Sequence, residues 1–365
     1  MDTRRNFIVQ AAALAAAPMI GTRMSRALGG SSKRQLGFAL CGLGNLSTHQ
    51  IAPALQKTVN CRLAGIITGT PAKAVQWQAR YGIPERNVYS YETMHRIADN
   101  ADIDVVYIAT PNGLHLDNAL VAAKAGKHVF CEKPMEISVE RCRQMIDAVK
   151  TANRMLAIGY RCRFEPHHLE CVRIARAGEF GPLKLIDAHF GNRVDAGVWR
   201  LKRALAGGGP LMDVGIYALQ ATRYLTGEEP VWISATTTQG DPARFSEVEE
   251  SVVWEAKFPG GAVSHCGSSY NTPGVGYFRA IAERGWFGLE PAFNYDGTRG
   301  VRSDGRLIEF APTDQFAVEM DDFARCIVEG KATRVPGEEG LRDVRLMMSI
   351  YESARAGRPI DLRSS

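Results

Sequence analysis

The sequence has little net charge, and most of its basic surplus lies near the start. The formal net charge of the 365 residues is +5. Residues 1–27 contain Arg4, Arg5, Arg23 and Arg26 against a single aspartate, which gives this segment a net charge of +3 and leaves +2 for the remainder. No run of three or more lysines and arginines occurs. The charge therefore gives no support for a nucleic-acid partner.

Low-complexity segments and repeats of fixed period are also missing from the sequence. Its hydrophobic content of 45% is ordinary for a globular protein, and its length suggests two domains. Beyond the first residues, no apolar run is long enough to cross a bilayer, which predicts a protein without a membrane anchor.

The first residues, MDTRRNFIVQAAALAAAPMIG, place twin arginines before Phe7 and a mildly apolar, alanine-rich stretch. Ser25-Arg26-Ala27 then resembles a small-x-small cleavage site. This order predicts a twin-arginine export signal over residues 1–27, which implies the export machinery as a partner and a periplasmic location. The alternative interpretation is a frayed helix that carries two arginines by chance.

Eight cysteines occur without any CxxC pair. An oxidising destination would permit disulfides, but a twin-arginine substrate folds before export in a reducing compartment. Several of the cysteines, including Cys41 and Cys131, also lie in apolar runs. We therefore expect buried free thiols and no metal site.

Residues 36–156 alternate between short apolar strands and helical stretches. The strand-like segments are LGFALC, CRLAGII, IDVVYIA and HVFCE, and the helical ones begin near Thr48, Pro71, His115 and Ser138. Pro71 suits the first turn of its helix, and Ser138 suits an N-cap. This alternation predicts an α/β fold with a parallel, Rossmann-type dinucleotide-binding sheet.

Residues 157–365 have a different pattern, with longer strand-like segments and a helical tail from Gln315. The strand-like segments are LKLIDAHFG, VWISATTT, SVVWEAKF, AVSHCGSSY, FRAIAERG and WFGLE. They predict a second, α+β domain built on a large, mostly antiparallel sheet.

A glycine turn, Gly42-Leu43-Gly44, follows the first strand and opens a helix. Glycines at such a turn let the backbone approach a pyrophosphate, whose charge the helix N-terminus favours. Ser47 stands where a third glycine would complete the usual motif, so a simple tight turn remains an alternative.

The end of the second strand indicates which dinucleotide is bound. An NAD site usually has an acid there for the ribose 2′-hydroxyl, whereas this sequence offers Thr68, Thr70 and Lys73. Hydroxyls and an ammonium suit the 2′-phosphate of NADP. Lys73 can alternatively be a solvated helix residue.

Polar residues also follow the next two strands, where a doubly wound sheet gathers its ligands. Asn112 and His115 come after IDVVYIA, and Glu132 and Lys133 end HVFCE before Pro134. We expect Lys133 to polarise a substrate oxygen and to lower the pKa of a neighbouring acid–base group. Alternatively, His115 is a surface residue, and Glu132 and Lys133 are a surface pair.

A second group of chemically useful residues lies in AGGGPLMDVGIYALQATRYL. Asp213 and Tyr217 are four residues apart and so share one helix face. Tyr217 suits a proton donor and acceptor if a cation lowers its pKa, and Asp213 suits a residue that orients Lys133. The alternative is a core tyrosine beside an ordinary helix aspartate.

Taken together, CEKPM, GYR at residue 159, WRLKRALAGGGPLMDVGIY, GEEP and PGEEGLRDVRLMMSIYESARAGRP resemble the glucose–fructose oxidoreductase family. The resemblance runs from about Leu36 to the C-terminus. The wider superfamily, which includes inositol dehydrogenase, usually has histidine where this chain has Tyr217, and tyrosine is the glucose–fructose oxidoreductase pattern.

The resemblance implies Lys133 and Tyr217 as the catalytic pair, with Asp213 in support. It also implies a set of residues around a tightly bound NADP: Gly42, Gly44, Asn45, Leu46, Thr68, Lys73, Thr110, Asn112, His115, Glu132, Lys133, Arg161, Trp199, Arg200 and Tyr217.

The resemblance further implies that the open second sheet serves oligomerisation. The best-known family form has a long proline-rich arm after its signal, and only about residues 28–35 remain here. A homodimer is therefore at least as expected as a homotetramer.

The implied activity is a two-sugar cycle: oxidation of an aldose at C1 to the lactone, then reduction of a second sugar to a polyol, with NADP retained throughout. We place Arg161, Asp195 and Tyr270, together with His189 and Arg193, near the sugars. The alternatives are a simple NADP-dependent aldose dehydrogenase, an exported NAD-dependent glycosidase and a catalytically silent sensor.

Overall fold

The computed structural model describes residues 34–363, so the export signal predicted over residues 1–27 lies outside the described part. The first sheet has six strands, each parallel to its neighbours. They are β1 (Leu36–Cys41), β2 (Cys61–Ile67), β3 (Val88–Tyr89), β4 (Val105–Ile108), β5 (His128–Glu132) and β6 (Leu156–Gly159). Their spatial order is β3-β2-β1-β4-β5-β6, which confirms the predicted Rossmann-type sheet.

Four helices connect these strands: α1 (Ala52–Leu55), α2 (Pro71–Tyr81), α3 (His115–Lys124) and α4 (Val139–Thr151). Pro71 begins α2, and the Ser138 side chain caps α4 by accepting a hydrogen bond from the amide of Arg141 at 3.3 Å. Strands β1 and β4 are buried along their whole length. The strand order reverses between these two strands, and at such a switch point ligands bind beyond the carboxyl ends.

The second sheet has nine strands, and only β7 and β10 run parallel to each other. Its strands are β7 (Leu183–Arg193), β8 (Trp232–Thr238), β9 (Ser251–Lys257), β10 (Val263–Ser269), β11 (Asn271–Ala282), β12 (Gly285–Leu289), β13 (Gly300–Arg302), β14 (Leu307–Ile308) and β15 (Ile360–Asp361). The order β14-β13-β12-β11-β7-β10-β9-β8-β15 confirms the large, mostly antiparallel sheet.

Five further helices complete the second half: α5 (Pro166–Arg176), α6 (Arg203–Ala206), α7 (Ile216–Thr226), α8 (Gln315–Glu329) and α9 (Gly337–Ala356). The second sheet buries one face and leaves the other open. On β9, for example, Trp254 is buried whereas Val253 and Glu255 are exposed, as the alternation of a half-buried strand requires.

Short 3₁₀ and π turns join several elements: Ser47–Ile51, Glu85–Asn87, Met94–Asp99, Asn112–Leu114, Arg161–Arg163, Trp199–Leu201 and Leu211–Gly215. Helix α8 returns to the first sheet, where the Asp321 carboxylate accepts backbone hydrogen bonds from Val59 and Asn60. All eight cysteines are buried free thiols, as predicted. Within residues 34–363, no helix combines the length and apolar character needed to span a bilayer.

Candidate active site

The glycine turn after β1 has the conformation that a nucleotide loop requires. Gly42 has φ +96°, and a Cβ there would lie 2.8 Å from the carbonyl oxygen of Ala109. A Cβ on Gly44 would meet no atom within 4 Å, because this residue faces open space. Ser47, which replaces the third glycine, is buried and donates a hydrogen bond to the Gly42 carbonyl at 2.6 Å. The serine therefore holds the turn that the usual motif forms with glycine.

A cleft of about 720 Å³ opens over this turn and the carboxyl ends of β1, β2, β4 and β5. It is lined by every residue predicted to surround NADP except Arg161: Gly42, Gly44, Asn45, Leu46, Thr68, Lys73, Thr110, Asn112, His115, Glu132, Lys133, Trp199, Arg200 and Tyr217.

Two of these lining residues hold the cleft together from behind. The His115 ring nitrogens lie 2.9 Å from the Thr110 carbonyl and 3.1 Å from that of Pro134, and the ring is completely buried. Burial lowers the pKa of His115. The Asn112 amide donates to the Ala206 carbonyl at 2.9 Å. His115 is thus not the surface residue that the sequence left as an alternative, and it joins the strand ends.

Next to this cleft lies a second one of about 1020 Å³, which extends over the second sheet. The two clefts share Lys133, Arg200, Asp213, Tyr217 and Tyr295 among their lining residues. Among the residues predicted to lie near the sugars, Arg161, Arg193 and Asp195 line the second cleft.

Two residues predicted near the sugars lie elsewhere, and their positions are corrections. Tyr270 is fully buried behind Asp213, to which its hydroxyl donates a hydrogen bond at 3.0 Å. His189 lies on the open face of the second sheet beside Asp187. Side chains of a strand alternate between faces, so His189 and its inward-facing neighbour Phe190 point in opposite directions. The alternation was visible in the sequence, but which face would meet the first sheet was not.

Asp213 is the centre of a charged cluster where the two clefts meet. The Lys133 ammonium donates to the Asp213 carbonyl at 2.6 Å and to its Oδ1 at 3.1 Å. Arg200 Nε donates to Asp213 Oδ2 at 2.7 Å. Burial alone would raise the pKa of Asp213, but Arg200 and Lys133 outweigh it and hold the pKa well below its usual range. Asp213 is therefore an anion at neutral pH and fixes the ammonium at the strand end.

Tyr217 lies about one helical turn after Asp213 and belongs to the same cluster. Arg161 Nε donates a hydrogen bond to the Tyr217 hydroxyl at 3.1 Å, while the Lys133 ammonium lies 4.9 Å from the centre of its ring. The pKa of Tyr217 is raised, because burial outweighs the effect of Arg161. This differs from the expectation that Lys133 lowers this pKa: the ammonium points at Asp213 and at the ring face, and Arg161 is the cation at the hydroxyl.

Arg161 is held from several sides, although it lies behind the cofactor cleft. It donates to the carbonyls of Phe293 at 2.5 Å and Asn294 at 3.1 Å, and to Gln315 Oε1 at 2.8 Å. Its guanidinium carbon also lies 4.7 Å from the ring centres of both Tyr217 and Tyr295. Sequence reasoning did not identify the partners at residues 293–295 and 315, because no motif surrounds them and only the fold brings them to Arg161.

Glu132 lies beneath this cluster and is almost completely buried. The Tyr107 hydroxyl donates to Glu132 Oε1 at 2.8 Å, and burial raises the pKa of Glu132 despite the nearby Lys133. Glu319 is completely buried close by, and burial raises its pKa well above the usual value. Glu132 therefore supports the site from behind, and Glu319, which was not singled out from the sequence, is buried near it.

Comparisons with known proteins match both halves of the chain. Residues 36–160 match the oxidoreductase family with an NAD-binding Rossmann fold, and residues 168–288 match the GFO/IDH/MocA C-terminal domain. The chain is 33% identical to D-xylose 1-dehydrogenase (NADP(+)) 2 of Haloferax volcanii, over 89% of this chain and 99% of that protein. It is 29% identical to D-xylose 1-dehydrogenase [NADP(+)] of Haloarcula marismortui, over 87% of this chain and 90% of that protein.

Among solved structures, the aldose-aldose oxidoreductase from Caulobacter crescentus complexed with glycerol is similar throughout. It superimposes with a TM-score of 0.86 at 43% sequence identity, covering 90% of this chain and 100% of that chain. Both halves of the chain are matched, and the fold is the one that the sequence predicted. The chain therefore belongs to the GFO/IDH/MocA family of oxidoreductases with an NAD-binding Rossmann fold.

Proposed function

We propose that the protein is an NADP-dependent sugar oxidoreductase that oxidises an aldose at C1 to its lactone and reduces a second sugar to a polyol. The observation that carries this proposal is the convergence of Lys133, Asp213 and Tyr217 where the cofactor cleft meets the second cleft. An ammonium, a fixed carboxylate and a phenol at one place are the groups needed to move a proton to or from a sugar oxygen.

The residues at the end of β2 fit NADP. The cleft there is lined by Thr68, Thr70 and Lys73. Residues 68–73 contain no acid that could bind a ribose 2′-hydroxyl. The Lys73 ammonium donates one hydrogen bond, to the Leu43 carbonyl at 2.9 Å, which anchors it beside the glycine turn. Its remaining donors suit the 2′-phosphate.

NADP, when bound in this cleft, would supply the hydride chemistry for both sugars. The chain supplies the rest. Tyr217 takes the proton of the sugar hydroxyl in the oxidative half and gives it back in the reductive half. Lys133, held by Asp213, stabilises negative charge that develops on the same oxygen. Arg161 fixes the direction of the Tyr217 hydroxyl through its hydrogen bond.

A sugar suits the second cleft. Asn192, Arg193 and Asp195 offer polar groups to sugar hydroxyls, and Phe190 and Tyr295 offer aromatic faces to the apolar side of a pyranose ring. The named relatives from Haloferax, Haloarcula and Caulobacter are all oxidoreductases of aldoses, which supports the same substrate class for this chain.

Retention of NADP between turnovers is the finer part of the proposal. It is supported by the predicted export, since a compartment outside the cytoplasm has no ready supply of the cofactor. The test is to purify the protein, dialyse it and incubate it with pairs of sugars without added NADP. Formation of lactone and polyol in equal amounts supports a retained cofactor.

If instead the dialysed protein is inactive until stoichiometric NADP is added, the retained-cofactor cycle is refuted. A simple NADP-dependent aldose dehydrogenase then replaces it, an alternative that the xylose dehydrogenase relatives favour. Absence of both activities on all sugars would refute the assigned substrate class.

We also propose that the protein is exported to the periplasm through the twin-arginine route and forms a homodimer or homotetramer there. The support for export is the order of residues in the first 27 positions. The support for assembly is the resemblance together with the open face of the second sheet. Cell fractionation and light scattering test the two statements separately.

A further inference from the structure

Three potential metal ligands lie together on the open face of the second sheet, opposite to the face from which Phe190 lines the second cleft. The parallel register of β7 and β10 pairs His265 directly with Asp187. His189 follows Asp187 by two residues on the same strand, so its side chain emerges on the same face. Two backbone features, a strand register and a two-residue period, therefore bring the three side chains together.

The three donor atoms converge on one region. His189 Nε2 lies 2.9 Å from Asp187 Oδ1, and His265 Nδ1 lies 3.2 Å from the same oxygen. One ligand atom of each residue falls within 4.8 Å of the other two. A tetrahedral Zn²⁺ with ligands at about 2.0–2.2 Å separates its donors by about 3.3 Å. The pair distances to Asp187 are thus within a few tenths of an ångström of those in a zinc site.

Neighbouring residues hold this cluster in a manner typical of metal sites. The Tyr277 hydroxyl donates to Asp187 Oδ2, the other carboxylate oxygen, at 2.9 Å and so orients Oδ1 toward the two imidazoles. Ligating carboxylates are commonly held by such an outer hydrogen bond. A Cβ on Gly267 would lie only 2.6 Å from His189 Nδ1, so glycine at this position makes room for the imidazole.

The cluster is also accessible in a single chain. The side chains of His189, Asp187 and His265 are 21%, 33% and 49% exposed. Three protein ligands leave a fourth position on the same face of the sheet for water or another donor.

We propose that Asp187, His189 and His265 form a binding site for a divalent transition-metal ion such as Zn²⁺. Two imidazoles and one carboxylate are ligands that zinc accepts in proteins. The expectation of no metal site rested on the cysteines; Asp187 and His265 are 78 residues apart in the chain, and no local motif connects them. The site does not depend on the proposed sugar chemistry.

The experiment uses the tag-free mature protein, stripped with chelator and titrated with Zn²⁺ by isothermal calorimetry. We expect one zinc ion per chain. Asp187→Asn and His265→Ala should each weaken binding by more than about 100-fold, and Tyr277→Phe, which removes only the outer hydrogen bond, by about 10- to 100-fold. The Co²⁺-loaded protein should show the visible absorption of a tetrahedral ion.

The matched control is His95→Ala, which removes an exposed imidazole on the other half of the chain and should leave zinc binding unchanged. Circular dichroism of every variant reports folding independently of the metal. Zinc binding of equal affinity in Asp187→Asn and His265→Ala would overturn the proposal. So would a wild-type protein that binds no zinc, because the three side chains would then form a hydrogen-bonded cluster only.

Discussion

Replacing Tyr217 with phenylalanine removes one hydroxyl from the point where the two clefts meet and leaves the ring in place. General acid–base catalysis by a positioned side chain contributes about 10²- to 10⁴-fold, so kcat should fall by that factor. Such a fall corresponds to about 2.7–5.5 kcal/mol of transition-state stabilisation. Because the Tyr217 hydroxyl is assigned only to proton transfer, the affinity for NADP should not change.

The cost of the same substitution to stability should be small. The hydroxyl has a hydrogen bond from Arg161, and a bond to a charged group contributes about 1.5–3 kcal/mol. Arg161 keeps its bonds to two carbonyls and to Gln315, so the loss should lie near the lower end of that range. At about 2.1 cal/mol/K per residue for the 330 described residues, Tm should fall by about 2 °C.

The assay measures steady-state turnover of a sugar pair, the nicotinamide absorbance of the purified variant and its thermal melting. The matched control is Tyr295→Phe. Its ring lies at the same 4.7 Å distance from the Arg161 guanidinium and it lines both clefts, yet no proton transfer is assigned to it.

The control should lose less than about tenfold in kcat, an amount below the range for general acid–base catalysis. A Tyr217→Phe variant that keeps its cofactor and more than a tenth of the wild-type turnover would refute the assignment of the proton to Tyr217. Equal losses in Tyr217→Phe and Tyr295→Phe would show that the phenylalanine variants disturb the cleft in general.

Four more outcomes follow from the same geometry. Lys73→Glu should weaken NADP binding by at least about tenfold and raise the ratio of NAD to NADP affinity, because a carboxylate repels the 2′-phosphate. Fluorescence titration with each cofactor measures both affinities. Asp213→Asn should lower kcat. Because the pKa of Asp213 is depressed in the folded state, its carboxylate stabilises the wild-type protein above about pH 4, and this stability is lost as the pH falls further. The variant should lack this pH-dependent stability when its melting is measured from pH 2 to 7. With the pKa of Tyr217 raised, the rate of sugar oxidation should increase from pH 7 to 9 without a plateau, whereas the rate of reduction should stay flat. Replacing Arg4 and Arg5 by lysines should keep the protein in the cytoplasm, whereas fractionation should find the wild-type protein in the periplasm.

The Rossmann sheet was predictable because each of its strands is specified by residues close together in the chain. LGFALC and IDVVYIA are continuous apolar runs, and their strands β1 and β4 are buried throughout. Helix α2 begins at Pro71 as predicted and ends at Tyr81, since a proline in the first turn and Gly82 with φ +64° fix both ends. Local signals were sufficient there.

The candidate site was predictable wherever a residue ends a strand of this sheet. Gly42, Thr68, Asn112 and Lys133 all reach one cleft, because parallel strands deliver their carboxyl ends to the same edge. Asp213 and Tyr217 were placed by their spacing and by the family resemblance. Strand alternation and helix periodicity are set by residues close together in the chain, so these positions could be predicted from the sequence.

Residues whose position depends on long-range pairing were not predictable. Tyr270 looked like a substrate ligand, yet its hydroxyl supports Asp213 from behind. The partners of Arg161 at Phe293 and Asn294 come from the loop after β12, which is more than 130 residues away along the chain. These contacts form only after two strands have paired and the sheet has packed over α7. No local motif in the sequence indicates this packing.

The charges around Tyr217 also affect proton transfer differently in the oxidative and reductive halves of the proposed cycle. Burial raises the pKa of Tyr217 more than Arg161 lowers it, so the resting phenol keeps its proton. A protonated phenol beside the fixed ammonium of Lys133 is ready to donate to a carbonyl oxygen, which is the task of the reductive half. In the proposed cycle the reductive half leaves Tyr217 as a phenolate, which is the form that the oxidative half requires. Because burial disfavours the phenolate, the raised pKa of Tyr217 opposes proton donation in the reductive half and favours proton uptake in the oxidative half.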